Sequence, residues 1–203
     1  MTHEDIMLIL AFLAAYLIGS INSAIIVSKI MLHDDIRKYG SGNAGATNAL
    51  RTLGKKGAIP VVIGDLLKAV IAILFAKIIC SDSSLAVYIA GIGVVLGHNF
   101  PIYFGFRGGK GILVSLVAIL FADPKIGLIA AVSAILIMAI TKYVSLGSIS
   151  GAVIFLVLGL TFRFGDVYFC IFAAIISLLA IIRHKANIQR LLNGTESKLS
   201  FKK

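Results

Sequence analysis

The chain has 203 residues, 59% hydrophobic and only 14% charged, against about 45–50% and about 25% in soluble domains. That balance excludes a soluble fold and predicts an all-α, polytopic membrane protein made of a single domain, residues 1–203. The formal charge of +10 does not imply a nucleic-acid partner, because the cations flank apolar segments, where lysine and arginine set membrane orientation.

About 20 apolar residues cross a bilayer, and Ile6–Met31 is the first such run, interrupted only by Ser20, Asn22, Ser23, Ser28 and Lys29. It follows Glu4 and Asp5 and lacks a basic leader, so no cleavable signal peptide is expected. The next segment, His33–Lys56, carries Arg37, Lys38, Arg51, Lys55 and Lys56, which puts it in the cytoplasm and the N-terminus outside. Ala58–Cys80 is the second span, leading to the outer turn Ser81-Asp82-Ser83-Ser84. Leu85–Leu96 begins the third and returns to a polar stretch, Gly97–Gly111. Ala122-Asp123-Pro124-Lys125 then breaks the apolar run 112–141, because proline and charge oppose a continuous helix.

Parity follows from that break. Ile112–Phe121 becomes a half-length helix of about 15 Å. Ile126–Thr141, Leu146–Phe162 and Val167–Ile182 complete seven transmembrane helices, some of them short. The C-terminus is then cytoplasmic, as its basic tail (Arg183, Lys185, Arg190, Lys198, Lys202, Lys203) requires. Cys80 and Cys170 lie in or near apolar runs and read as buried thiols, with no metal or redox motif around them.

Three polar stretches thereby face the cytoplasm: Gly40–Arg51, Gly97–Gly111 and Arg183–Asn193. The first contains G-x-G-x-x-G (Gly40, Gly42, Gly45), but an apolar helix precedes it, so it is no dinucleotide motif. Its glycines permit tight turns whose N–H groups attract anions, Thr47 and Asn48 are candidate caps of a short helix, and Arg51 follows one turn later. The second is not a phosphate loop of the nucleotidase type, since Phe104 stands where a glycine belongs and Gly111 where Ser or Thr belongs. Lys110 opens the short helix, where ammonium and helix dipole both favour an anion. In the third, helical spacing puts His184 and Asn187 on one face. Asp65 and Lys68, inside the second span, read as a structural ion pair below the site.

These stretches together resemble one family, the bacterial acyl-phosphate:glycerol-3-phosphate acyltransferases. The resemblance rests on Gly40-Ser-Gly-Asn-Ala-Gly-Ala-Thr-Asn with Arg51 and Gly54-Lys-Lys; on Gly97-His, Pro101, Phe104-Gly-Phe and Gly108-Gly-Lys-Gly; and on Arg183-His, Asn187 and Arg190-Leu-Leu. It implies a seven-helix enzyme of the bacterial inner membrane, its site facing the cytoplasm. Such an enzyme moves a fatty acyl group from acyl phosphate to the 1-hydroxyl of sn-glycerol 3-phosphate, giving lysophosphatidic acid and phosphate in the first acylation of phospholipid synthesis. It implies no metal and no cofactor, and points to no protein partner beyond the two substrates and the bilayer. Carried over, Ser41, Arg51, Lys110, His184 and Asn187 are active-site positions, and Gly42, Asn43, Gly45, Thr47, Asn48, His98, Gly108 and Gly109 are substrate-binding candidates.

The chemistry is coherent with those residues. Acyl phosphate is already activated, so direct attack in a ternary complex needs orientation rather than an enzyme nucleophile. Arg51 would grip the glycerol phosphate as a fork, while Lys110 and the Gly108 and Gly109 amides would meet the departing phosphate. Ser41 and Asn187 would orient substrate; the hydroxyl proton goes to His184 or to a substrate phosphate. Two rival acyl or phosphatidyl chemistries lack their motifs: there is no D-x-x-D-G-x-x-A-R run, and His3, His33, His98 and His184 are followed five residues on by Leu8, Lys38, Tyr103 and Gln189, never Asp. A carrier for a small phosphorylated solute would place its site at mid-membrane within repeats, and no repeat is visible.

Overall fold

The computed structural model describes residues 1–81 and 83–199, and every regular element among them is helical. Asp82 of the outer turn and Lys202 and Lys203 of the basic tail lie outside the described residues. The helices are α1 (His3–Gly19), α2 (Ser23–Leu32), α3 (Ala46–Ile79), α4 (Ser84–Asn99), α5 (Ile112–Ala122), α6 (Pro124–Thr141), α7 (Val144–Phe162), α8 (Val167–Arg183) and α9 (Lys185–Leu192). They form two compact units, Met1–Phe121 and Ala122–Lys203.

Among the described residues, five stretches are long and apolar enough to cross a membrane: His3–Leu32, Ala46–Ile79, Ser84–Phe104, Pro124–Thr141 and Val144–Phe162. Val167–Arg183 passes the same test only together with Lys185–Leu192, a pair bent by 57°, and Ile112–Ala122 is shorter. The expected break at Pro124 is present: Asp123 caps α6, accepting from the Lys125 and Ile126 amides at 3.1 Å, and proline takes the first turn, where its missing N–H costs nothing.

Two details differ from the expectation. The run Ile6–Met31 is not one helix but two. Ser20 turns its hydroxyl onto the Tyr16 carbonyl (2.8 Å), and Asn22 accepts the Ile25 amide (3.0 Å), so the backbone breaks between them and restarts with a cap. Cys80 and Cys170 are free thiols but half-buried rather than fully enclosed.

In the first unit α1 packs on α3 and α4, α2 on α3, and α3 on α4. The α1–α4 crossing is close because α4 carries Gly93 and Gly97 on one face, a small-x-x-x-small spacing that lets backbones touch. A Cβ at Gly93 would lie 2.8 Å from the Phe12 carbonyl oxygen, and one at Gly97 would strike that of Tyr16. This closeness sets the broken α1–α2 junction beside the end of α4.

In the second unit α7 packs on both α6 and α8. Its core is a buried trio, Phe155, Phe169 and Phe172, with ring centroids 6.0–6.2 Å apart in edge and tilted contacts. Arg163 pairs with Asp123 (3.0 Å) and Asp166 (2.9 Å), the caps of α6 and α8, and covers the Phe169 ring at 4.9 Å.

Replacing Gly97 by Val forces the α1 and α4 backbones apart and should lower the thermal midpoint in detergent by the equivalent of about 3 kcal/mol, the upper range for overpacking. Gly165→Ala, which meets open space, should leave it unchanged; equal midpoints for the two variants would contradict the close-crossing account.

Candidate functional site

The first polar stretch is a turn followed by a short helix, as expected, but its capping differs. Gly45, not Thr47 or Asn48, is the N-cap of α3, and no side chain caps it. Asn48 is buried and folds back instead: its Oδ1 accepts the Ser41 amide (2.9 Å), and its Nδ2 donates to the Tyr39 and Ile36 carbonyls (3.0 and 3.3 Å). One amide side chain thus closes the glycine turn and fixes Ser41. Gly54 adopts φ +67° and ψ −167°, which separates residues 46–53 from the long apolar part of α3. Arg51 stands exposed on that short helical piece, with Thr47 on its first turn. Asn22 ties the loop to the helix break by donating to the Ala44 carbonyl at 3.3 Å.

The second stretch is pinned to the first. Arg37 donates through Nη1 to the carbonyls of Phe104 (2.7 Å) and Arg107 (2.9 Å), while Asp35 holds the same guanidinium at 2.7 Å. The Arg37 hydrogen bond keeps the Asp35 carboxyl below its ordinary range despite partial burial. The Gly108 and Gly109 amides, expected to face a phosphate, donate instead to the Asn99 and His98 carbonyls at 3.1 Å each. They shape the loop, and Lys110, half-buried, is presented just ahead of α5.

Beneath these loops lies a buried charge network. Lys68 Nζ donates to the Ile21 carbonyl (2.8 Å), to His98 Nδ1 (2.9 Å) and to Asp65 Oδ1 (3.0 Å), with Asp65 only 2% and Lys68 only 5% exposed. Ser23 donates to the same carboxylate oxygen at 3.0 Å. An ammonium only donates, so His98 Nδ1 is the acceptor and the proton of the neutral ring sits on Nε2. That edge is packed against Gly109: a Cβ there would strike His98 Nε2 and lie 2.7 Å from the Ala44 carbonyl oxygen. His98 therefore meets Gly109 with its backbone and its ring, where the two loops come together.

The second unit carries the third stretch. His184 occupies the bend between α8 and α9, and it and Asn187 are buried. Its Nδ1 lies 2.7 Å from the Ala180 carbonyl, which can only accept, so Nδ1 carries the proton and Nε2 is the basic nitrogen. The two histidines are thus held in opposite tautomers. Asn187 Nδ2 donates to Glu196 at 2.7 Å. Among the described residues, no three His, Cys, Asp or Glu side chains gather as a metal site would.

The sequence matches the profile of a family described as glycerol-3-phosphate acyltransferase over residues 9–194. The chain belongs to the glycerol-3-phosphate acyltransferase family. It is 50% identical over 194 residues to the glycerol-3-phosphate acyltransferase of Thermoanaerobacter sp. (strain X514), covering 96% of both chains. It is 46% identical over 202 residues to that of Clostridioides difficile (strain 630), covering 96% of this chain and 97% of the relative. The fold matches crystal structures of PlsY (YgiH), an integral membrane glycerol 3-phosphate acyltransferase, at 36% identity. The glycerol 3-phosphate form aligns with TM-score 0.86 over 95% of this chain and 96% of that one. The lysophosphatidic acid form aligns with TM-score 0.82 over 96% of both.

The sequence reading named the three polar stretches but missed the groups that hold them. Arg37 read only as an orientation charge, and Glu196 was not singled out. Arg37 lies in a run of ordinary surface charges, and its partners are backbone carbonyls that sequence cannot index. Asp65 and Lys68 do form the expected pair, yet their tie to His98 joins helices 30 residues apart in sequence.

Lys68→Met should lower stability in detergent by about 3–5 kcal/mol, the cost of stranding a buried charge. Asp65→Leu combined with Lys68→Met, which removes both charges, should cost less than Lys68→Met alone. Thermal unfolding of both variants checks this, and a double variant weaker than the single one would contradict the network.

Proposed function

We propose that this chain transfers a fatty acyl group from acyl phosphate to the 1-hydroxyl of sn-glycerol 3-phosphate, releasing lysophosphatidic acid and inorganic phosphate. One observation carries the reading. The relative PlsY is known in a glycerol 3-phosphate form and a lysophosphatidic acid form, a pair that differs by one acyl group on one hydroxyl. An enzyme joining those two species needs an activated acyl donor and groups that hold phosphate.

In the proposed reaction the glycerol oxygen attacks the acyl carbon, the bond from that carbon to the phosphate oxygen breaks, and phosphate leaves. Arg51 grips the glycerol phosphate, where its five donors suit a bidentate contact. Because the Gly108 and Gly109 amides are engaged with carbonyls, the leaving phosphate is assigned to Lys110 and the first-turn amides of α5, which have no intrahelical acceptor. Ser41, set by Asn48, and the turn residues Gly42, Asn43, Gly45 and Thr47 line the phosphate end. Asn187 orients the hydroxyl, and Nε2 of His184, the basic nitrogen, takes its proton. His98 contributes through Gly109, since its ring is buried against Lys68.

We further propose that residues 1–203 act as one domain in the bacterial inner membrane, with seven spans, the N-terminus outside and the chemistry on the cytoplasmic face. The cations Arg37, Lys38, Arg51, Lys55 and Lys56 support that orientation, and α5 counts as a half-length span.

The test is detergent-solubilised protein given acyl phosphate and glycerol 3-phosphate, with phosphate and lysophosphatidic acid measured. Wild type should make both in equal amounts and should fail with acyl-CoA or acyl carrier protein as donor. Arg51→Ala and Lys110→Ala should each lower kcat/KM on the order of 10²–10³-fold. Turnover with acyl-CoA would overturn the donor assignment. Inertness in detergent would favour a carrier, which needs a sealed membrane.

A further inference from the structure

One residue underlies both ends of the turn that carries Lys110. Asn99 ends α4 and is fully buried, and its carbonyl accepts the Gly108 amide at 3.1 Å. Its side chain reaches the other end of the turn: a Cβ added to Gly111 would lie 2.7 Å from Asn99 Oδ1 and 3.3 Å from Val95 Cγ1. Gly111 holds φ +77°, and its carbonyl accepts the Ser115 amide at 2.7 Å, so it stands at the N-cap position of α5. Having no side chain, it neither caps the helix nor screens the Asn99 amide from the first turn. Among the described residues, neither Oδ1 nor Nδ2 of Asn99 has a hydrogen-bond partner. Buried amides are ordinarily paired, so an orphan beside a helix start that begins on glycine marks a place where a polar group is received.

We propose that Asn99 is a phosphate-binding residue, its side-chain amide donating to the phosphate group held by Lys110 and the first turn of α5. The inference rests on the reading that this helix start receives a phosphate during acyl transfer. Helix dipole and ammonium both favour an anion there. Ionised phosphate oxygens accept hydrogen bonds, so the donor end of the amide faces the ligand. The last torsion of asparagine is roughly two-fold, and a half-turn brings Nδ2 to the place of Oδ1 beside Gly111. That rotation breaks no hydrogen bond, since neither end holds one. Val95, itself buried, keeps the surroundings apolar, where a bond from N–H to an anion is stronger than at a wet surface. Gly111 gains a second role beyond its positive φ, because any side chain would fill the space between the amide and the helix start. Acyl phosphate and glycerol 3-phosphate offer the same chemistry to this amide, and their kinetic constants separate them.

The experiment compares wild type, Asn99→Leu and Asn99→Ala as full chains in detergent. Removing an unpaired buried amide sacrifices no hydrogen bond, so without phosphate Asn99→Leu should unfold at the wild-type midpoint; Asn99→Ala serves if leucine does not fit. Inorganic phosphate is the first probe. It should raise the midpoint of wild type, and the variants should need on the order of 10-fold more phosphate for the same rise. In turnover, one KM should rise on the order of 10-fold while kcat stays within about threefold. A rise confined to acyl phosphate supports Asn99 as a ligand of the leaving phosphate. A rise confined to glycerol 3-phosphate supports Asn99 as a phosphate ligand and moves the glycerol phosphate to this helix start. Equal phosphate dependence in all three proteins, or no effect of phosphate on wild type, would overturn the proposal. So would a fall in kcat with both KM values raised together, which marks a distorted turn. A wild type that binds phosphate yet makes no product from acyl phosphate would overturn the acyl-transfer reading instead, while the phosphate titration still decides the role of Asn99.

Discussion

Lys68 carries one ammonium group with three hydrogens, and it finds three acceptors on three separate parts of the first unit. Ile21 lies in the break between α1 and α2, Asp65 on α3 and His98 at the end of α4. A charge at this depth is tolerable only when paired and fully hydrogen-bonded, so the helices meet in the arrangement that supplies all three partners. The break at Ser20–Asn22 exposes the Ile21 carbonyl, and the Gly93–Gly97 face brings α1 close enough to α4 for the same ammonium to reach His98. The loops that carry Ser41, Arg51 and Lys110 stand on this junction.

The network also fixes chemistry. His98 presents Nδ1 to a permanent donor and so is held as its Nε2–H tautomer, whereas His184 gives its Nδ1 proton to a carbonyl and keeps Nε2 basic. Two histidines in one chain are held differently by which nitrogen their neighbours occupy.

Much of this was legible in the sequence. The apolar runs predicted an all-helical membrane protein, and Asp123-Pro124 marked a real helix boundary. Cooperation between distant groups was not legible. Asn48 read as a cap, because Asn near a helix start commonly is one, yet its amide closes the preceding turn. Gly108 and Gly109 read as open phosphate donors, but their N–H groups fold back onto residues 98 and 99, a pairing set by the path of the loop rather than by residue type. The first span read as continuous because serine and asparagine are tolerated in membrane helices; only the cap from Asn22 to Ile25 shows why it stops. Glu196 lay in a polar tail with no periodicity, and it meets Asn187 only once Gly194 reverses the chain.

The central claim is that the buried Lys68 ammonium holds the two loops of the first unit together from below. Amide hydrogen exchange on wild type and on Lys68→Met, under conditions where both are folded, tests it most directly. Exchange should quicken in residues 40–51 and 97–111 and around the Ser20–Asn22 break, while α6–α8 keep their protection. Unchanged exchange in both loops, with Lys68 gone, would contradict the account.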